Sequence, residues 1–254
     1  MMETLTLTFP GPGSTAGFLG VVAIVLACAV GAVRRAVVER ALPTRATGIA
    51  IAALALLLAT SATLAESGVF ALAAGTRGLA AYPAFVNGLV IVIALSSLGR
   101  RVATAVPIWA LVAFQGFRLP LELVLHAWYE AGALPVQMTF EGDNFDIATG
   151  ILGLAIGLGM RQGWLGLRAA WVFNLIGCGL LVRVMQIALL SSPWPARVYM
   201  NDPPVLLMFH APYTWILPIC VSGALMGHLL LFRALLAYKS AVGTDKRRPV
   251  KVVA

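Results

Sequence analysis

The sequence predicts an all-α fold: a polytopic membrane bundle of seven transmembrane helices, with the N-terminus outside and the C-terminus cytoplasmic. Three observations predict it. Hydrophobic residues make up 60% of the chain and charged ones only 11%, with a mean hydropathy of +0.92. Soluble domains carry about 25% charged residues, so this is the balance of a chain that lives in lipid. Apolar runs close to the ~20 residues that a helix needs to cross a bilayer recur along it. The basic residues, finally, cluster in alternate gaps between those runs.

Taken in order, residues 1–15 carry Glu3 and no basic residue. A cleavable signal starts with positive charge, so this stretch is expected to be a short uncleaved tail. One transmembrane domain over 1–237 follows, with spans at 16–33, 47–65, 79–99, 102–131, 147–163, 167–190 and 211–236. The fourth run is long and contains Pro120, which lacks the N–H that a helix interior uses, so a kink is expected there. In the fifth, Gly150, Gly153 and Gly157 fall on one side and permit a neighbouring backbone to approach closely. The segment 191–210, rich in Pro and aromatic residues, reads as interfacial, and 238–254 as a basic cytoplasmic tail.

Seven crossings sort the charges. Fourteen of the eighteen basic residues fall on one side: Arg34, Arg35, Arg40, Arg45, Arg100, Arg101, Arg161, Arg168, Arg233 and those of the tail. Arg77 and Arg197 fall on the other, while Arg118 and Arg183 lie within spans. The positive-inside rule makes the rich side cytoplasmic and the host a cell (inner) membrane. The net charge of +8 then describes a face suited to anionic lipid headgroups, and not to nucleic acid.

Lys239, Lys246 and Lys251 are the only lysines, which removes any Schiff-base lysine from the spans. Cys28, Cys178 and Cys220 stand alone within spans, with no CxxC, and read as small buried apolar residues. His228, toward the cytoplasmic end of the seventh span, reads as a helix-packing or interfacial histidine, with a proton relay as the alternative. No GxSxG, HExxH or dinucleotide-binding pattern occurs.

Chemistry concentrates in the fourth span, where Arg118, Glu122, His126 and Glu130 recur every four residues. Each step advances about 40° around a helix, so the first three share a face. Charged groups at mid-bilayer cost about 2.5–3.5 kcal/mol each, so they face partners or water. One reading is an Arg118–Glu122–Arg183 cluster at the floor of an outward-opening polar cavity, with His126, Glu130 and the acidic loop at its mouth. The other is a structural ion-pair cluster tying spans four and six together. The acidic loop places Glu141, Asp143 and Asp146 within six residues, with His210 in the next outer loop. Oxygen ligands at that density suit a hard divalent cation, although the spacing is not that of an EF-hand, and a solvated loop is the alternative. Asn144 and Asp146 also suit the N-terminus of the fifth helix.

Arg118-Leu-Pro-Leu-Glu122, the Met138-Thr-Phe-Glu-Gly-Asp-Asn-Phe-Asp146 loop and Pro212-Tyr-Thr-Trp-Ile-Leu-Pro218 together resemble a group of uncharacterised bacterial integral membrane proteins with an MTFEG-x-NFD-like outer loop. That resemblance covers mainly residues 115–230 and implies no activity. Three function classes follow from the residues: a cavity that binds or translocates a small polar solute or protons, an outer-leaflet metal-dependent enzyme, and a non-catalytic membrane subunit or scaffold.

Overall fold

The computed structural model describes residues 7–245, with side chains described as far as residue 239. Lys246, Arg247, Arg248 and Lys251 of the expected basic tail lie outside the described residues, as does Glu3. The described chain is all-α. Ten helices carry labels: α1 (Pro12–Val38), α2 (Ala46–Glu66), α3 (Val69–Ala73), α4 (Ala81–Leu95), α5 (Ser97–Ala105), α6 (Ile108–Phe114), α7 (Arg118–Glu130), α8 (Asp146–Arg161), α9 (Leu167–Ser191) and α10 (Ser222–Asp245).

Among the described residues six stretches are long and apolar enough to cross a membrane: Pro12–Val38, Ala46–Glu66, Arg77–Leu95, Ile108–Glu130, Leu167–Ser191 and Tyr213–Lys239. Their outer faces carry Ile49, Leu56, Phe85, Val92, Leu175 and Val182, all exposed. Apolar surface on that scale belongs against lipid, and the chain is a multi-pass membrane protein in contact with the bilayer.

The helices pack with α1 against α2 and α7, α10 against α4, α5, α6 and α9, and α8 against α6, α7 and α9. Trp128 is fully buried between the edges of Phe18 and Tyr213, each with its ring centre 5.2 Å away, and pins α7 to α1 and to the entry of α10.

Two breaks alter the helices read from hydropathy. The single helix expected over 102–131 is two units, because Val106 and Pro107 are extended and separate α5 from α6. α5 opens where α4 ends at Ser96, whose hydroxyl accepts from the Gly99 N–H at 3.4 Å. Arg233 of α10 closes the same break by donating to the carbonyls of Ala94 and Ser96 at 2.5 and 2.6 Å. Pro120, for its part, cannot donate four residues back, and the chain forms a 3₁₀ turn at Gln115–Phe117 between α6 and α7. Gln115 there donates to the Ala224 carbonyl at 3.1 Å, tying the turn to α10. Before α10, Ile216–Val221 form a π-helical turn around Pro218.

The fifth expected span is the unusual one. α8 has 16 residues, about 24 Å of helix, against about 30 Å of hydrocarbon. It runs antiparallel to α6 and α7: Gly157 meets Ala113, Gly153 meets Gln115 and Gly116, and Gly150 meets Leu119. Arg161 at its far end stacks over the Trp109 ring at 5.1 Å. By that register α8 starts beside Glu122 and Leu123, about two-thirds of the way along the Ile108–Glu130 helix, and Asp146 reaches Arg118 with its side chain. The 131–145 segment makes up the difference by folding back into the bundle, with Leu134, Met138, Thr139 and Asn144 all buried. Irregular backbone at that depth survives only when it is buried in protein, as here.

Candidate functional site

The returning segment delivers the partners of the fourth-span charges. Arg118 is 1% exposed, and its Nη1 lies 3.0 Å from Oδ1 of Asp146, the first residue of α8. That contact has the distance of an ion pair without the alignment of a hydrogen bond, and Nη1, Nη2 and the Asp146 Oδ1 are buried with no hydrogen-bond partner among the described residues. Glu122, one turn further along α7 and equally buried, accepts from Asn144 Nδ2 at 2.9 Å on both carboxylate oxygens. The same amide donates to the Met138 carbonyl at 3.0 Å, and Asn144 Oδ1 accepts from the Asp146 N–H at 3.0 Å. Asn144 is thus the clip that holds the re-entrant loop, the start of α8 and α7 together.

Truncating that clip leaves Glu122 buried without its donor. Asn144→Ala should lower stability by about 3 kcal/mol, as an unsatisfied buried charged group does, and thermal unfolding in detergent measures it. Asn144→Ala unfolding like the wild type would show that Glu122 does not depend on the loop.

The other sequence-predicted residues separate. Arg183 does not join Arg118 and Glu122; it faces Asp143 Oδ2 at 3.4 Å and the Tyr199 hydroxyl at 3.3 Å, while that hydroxyl donates to Asp143 at 2.9 Å. The expected Arg118–Glu122–Arg183 cluster is therefore an Arg118–Asp146 pair with Glu122 and Asn144 beside it. The reason is the folded-back loop, which brings Asp146 to Arg118 and Asn144 to Glu122 and gives Arg183 a carboxylate of its own in Asp143. His126 Nε2 lies 3.6 Å from both Glu130 and Glu141, with the Phe140 ring centre 4.6 Å from its own. These groups are partly exposed, at the end of the bundle to which α7 leads.

Nor does the candidate cation set converge. Asp146 is buried against Arg118, Asp143 is engaged by Arg183 and Tyr199, Glu141 faces His126, and His210 lies edge-on to Phe9. Among the described residues no group of three His, Cys, Asp or Glu side chains could hold a metal ion. The loop is also not the fully solvated one of the alternative reading, since Met138, Thr139 and Asn144 lie in the core.

His228 packs between helices: it is fully buried, and its Nδ1 lies 2.8 Å from Asn174 Oδ1, coupling α10 to α9. Arg118 and Glu122 also border a cavity, of a different character from the polar one expected. A partly open cavity of about 360 Å³ is lined by α4, α7, α9 and the π-helical turn, with Phe70, Met138, Asp146 and Val205 also on its wall. Its wall is mostly apolar (Phe117, Leu121, Leu181, Met185, Ile216 and Cys220 among others), and Arg118, Glu122 and Asp146 form its charged corner. Its volume falls within the ~300–1,000 Å³ of small-molecule sites. No such apolar cavity can be read from hydropathy, because its walls come from segments far apart in the chain.

No family model, curated protein or solved structure matches the chain.

Proposed function

We propose that this chain is a seven-span protein of a bacterial cytoplasmic membrane, N-terminus outside, that takes up a small molecule with an apolar body and a polar end inside its bundle. The observation that carries this reading is the 360 Å³ cavity with a buried, incompletely satisfied Arg118–Asp146 pair in one corner. Ionisable groups held inside a membrane bundle and facing a cavity are the usual mark of a binding or transport pathway. The wall modifies the reading from sequence: the polar solute pocket becomes an apolar one with a polar corner. The metal-enzyme reading has no convergent ligands to rest on.

The crossing number is tested by reporters at the two termini. Seven crossings put them on opposite sides of the membrane and six put them on the same side, so co-localised termini would remove α8 and its loop as a crossing. The cavity is tested by extracting purified protein with organic solvent. A small molecule should co-purify at near one-to-one stoichiometry, and Met185→Trp, which fills the space, should reduce its occupancy about tenfold while the protein stays folded. A chain that carries nothing, and whose Met185→Trp variant behaves as wild type toward added apolar probes, sinks the reading.

A further inference from the structure

The charged corner restricts which polar end can dock there. Its charges nearly cancel. Arg118 against Asp146 gives zero if Glu122 is protonated and minus one if it is ionised, so the corner carries no positive charge for an anion to neutralise. An anionic head would meet one or two carboxylates at low dielectric, where repulsion is strong. A cationic head would sit beside a guanidinium and leave its N–H groups with nothing to donate to. Three other polar groups on the wall are engaged within the protein, and Gln186 and Thr214 add only uncharged groups. Tyr82 pairs with Ser61 at 2.8 Å, Asn87 accepts from Ser222 at 3.1 Å, and Ser192 donates to the Ala188 carbonyl at 2.7 Å. Glu122 is engaged on both oxygens by Asn144. Among the charged groups of the corner, the buried atoms with no hydrogen-bond partner among the described residues are Arg118 Nη1 and Nη2, which donate, and Asp146 Oδ1, which accepts. All of these are buried, on side chains that line the cavity.

We propose that the cavity selects an uncharged amphiphile with a hydroxyl head, whose oxygen accepts from Arg118 and whose hydrogen is donated to Asp146, with its hydrocarbon body along Leu121, Leu181 and Ile216. A hydroxyl satisfies both open valences at once and adds no charge beside the Arg118 guanidinium or the Asp146 carboxylate. Unsatisfied buried donors are costly, so the head completes the site as well as occupying it. This inference rests on the cavity reading above and specifies its ligand.

The test uses the intact chain in nanodiscs of neutral lipid with four probes of one chain length: 1-decanol, decanoate, decylammonium and decane. Bound probe is counted by native mass spectrometry at equal probe content in the bilayer. Decanol should bind at least about tenfold more tightly than either charged probe and more tightly than decane, and Arg118→Gln should flatten that preference. A wild-type preference for decanoate or decylammonium, or decane binding as well as decanol, overturns the head-group assignment and leaves the cavity reading standing. Binding of none of the four overturns both. Lipid from the host competing for the same site is recognised separately, as a bound phospholipid mass that Met185→Trp removes and that rises in place of decanol; that outcome also overturns the assignment.

Discussion

Gly150→Ala and Gly157→Val should each unfold far more readily than the wild type, with a loss of about 3 kcal/mol or more. A Cβ at Gly150 would overlap the Leu119 backbone nitrogen, and one at Gly157 would lie 2.6 Å from Ala113 Cβ and 2.7 Å from its nitrogen. Backbone cannot swing aside as a flexible side-chain tip does, so α8 must move away from α6 and α7. Overpacking of a tight core costs about 1–3 kcal/mol, and more where neither side can yield. In lipid there is no hydrophobic force to push the helices back together, so lost van der Waals contact is not recovered elsewhere. Because α8 begins at Asp146, the shift would also pull that carboxylate from Arg118. Gly20→Ala in α1 is the control: nothing lies within 4 Å of its added methyl, and alanine is the better helix former by about 1 kcal/mol. Thermal unfolding of the three variants in one detergent decides the matter. Gly150→Ala as stable as Gly20→Ala would mean that the α8 interface is loose.

Those glycines are legible in the sequence; their neighbour is not. A three- or four-residue glycine spacing announces close approach, because it is a property of one helix. Which helix approaches is a property of the fold. The same division runs through the site. Arg118 and Glu122 stand out because ionisable residues are rare in apolar runs, so their being buried and paired is readable. Arg183 is the natural third member on depth alone, since spans four and six place it level with them. That comparison assumes that the acidic loop lies outside the membrane. The clue against it is the length of the fifth apolar run, too short to cross on its own, with Asp146 at its start. A helix that begins inside the bundle needs its preceding loop there as well, and Asn144 and Asp146 come with it. The breaks at Ser96 and Pro107 are hidden for a different reason, since hydropathy averages over α5 and carries the apolar signal of α6 backwards. The long membrane helices, whose apolar runs are a local property of the sequence, are the easiest to read.

Arg118 and Asp146 should behave as one unit in a double-mutant cycle. Arg118→Met leaves Asp146 buried with no counter-charge, and Asp146→Asn leaves Arg118 with only the Asn144-bound Glu122 beside it; each loss of a buried partner costs about 3–5 kcal/mol. Making both substitutions together leaves the corner without either charge. The double variant should therefore lose much less than the sum, with a coupling of at least about 2 kcal/mol. Arg183→Met supplies the contrast. Its partner Asp143 and Arg183 itself are each more than 40% exposed, so water already screens the pair, and the change should cost less than about 1 kcal/mol. The pattern discriminates between the two ways of grouping these charges. If Arg118 belonged with Arg183, the coupling would appear in that pair and vanish with Asp146. Equilibrium unfolding of the four Arg118/Asp146 cycle members plus Arg183→Met measures both. Strict additivity of Arg118→Met and Asp146→Asn would mean that the re-entrant loop is not held down by this pair, and the charged corner of the cavity would lose its physical basis.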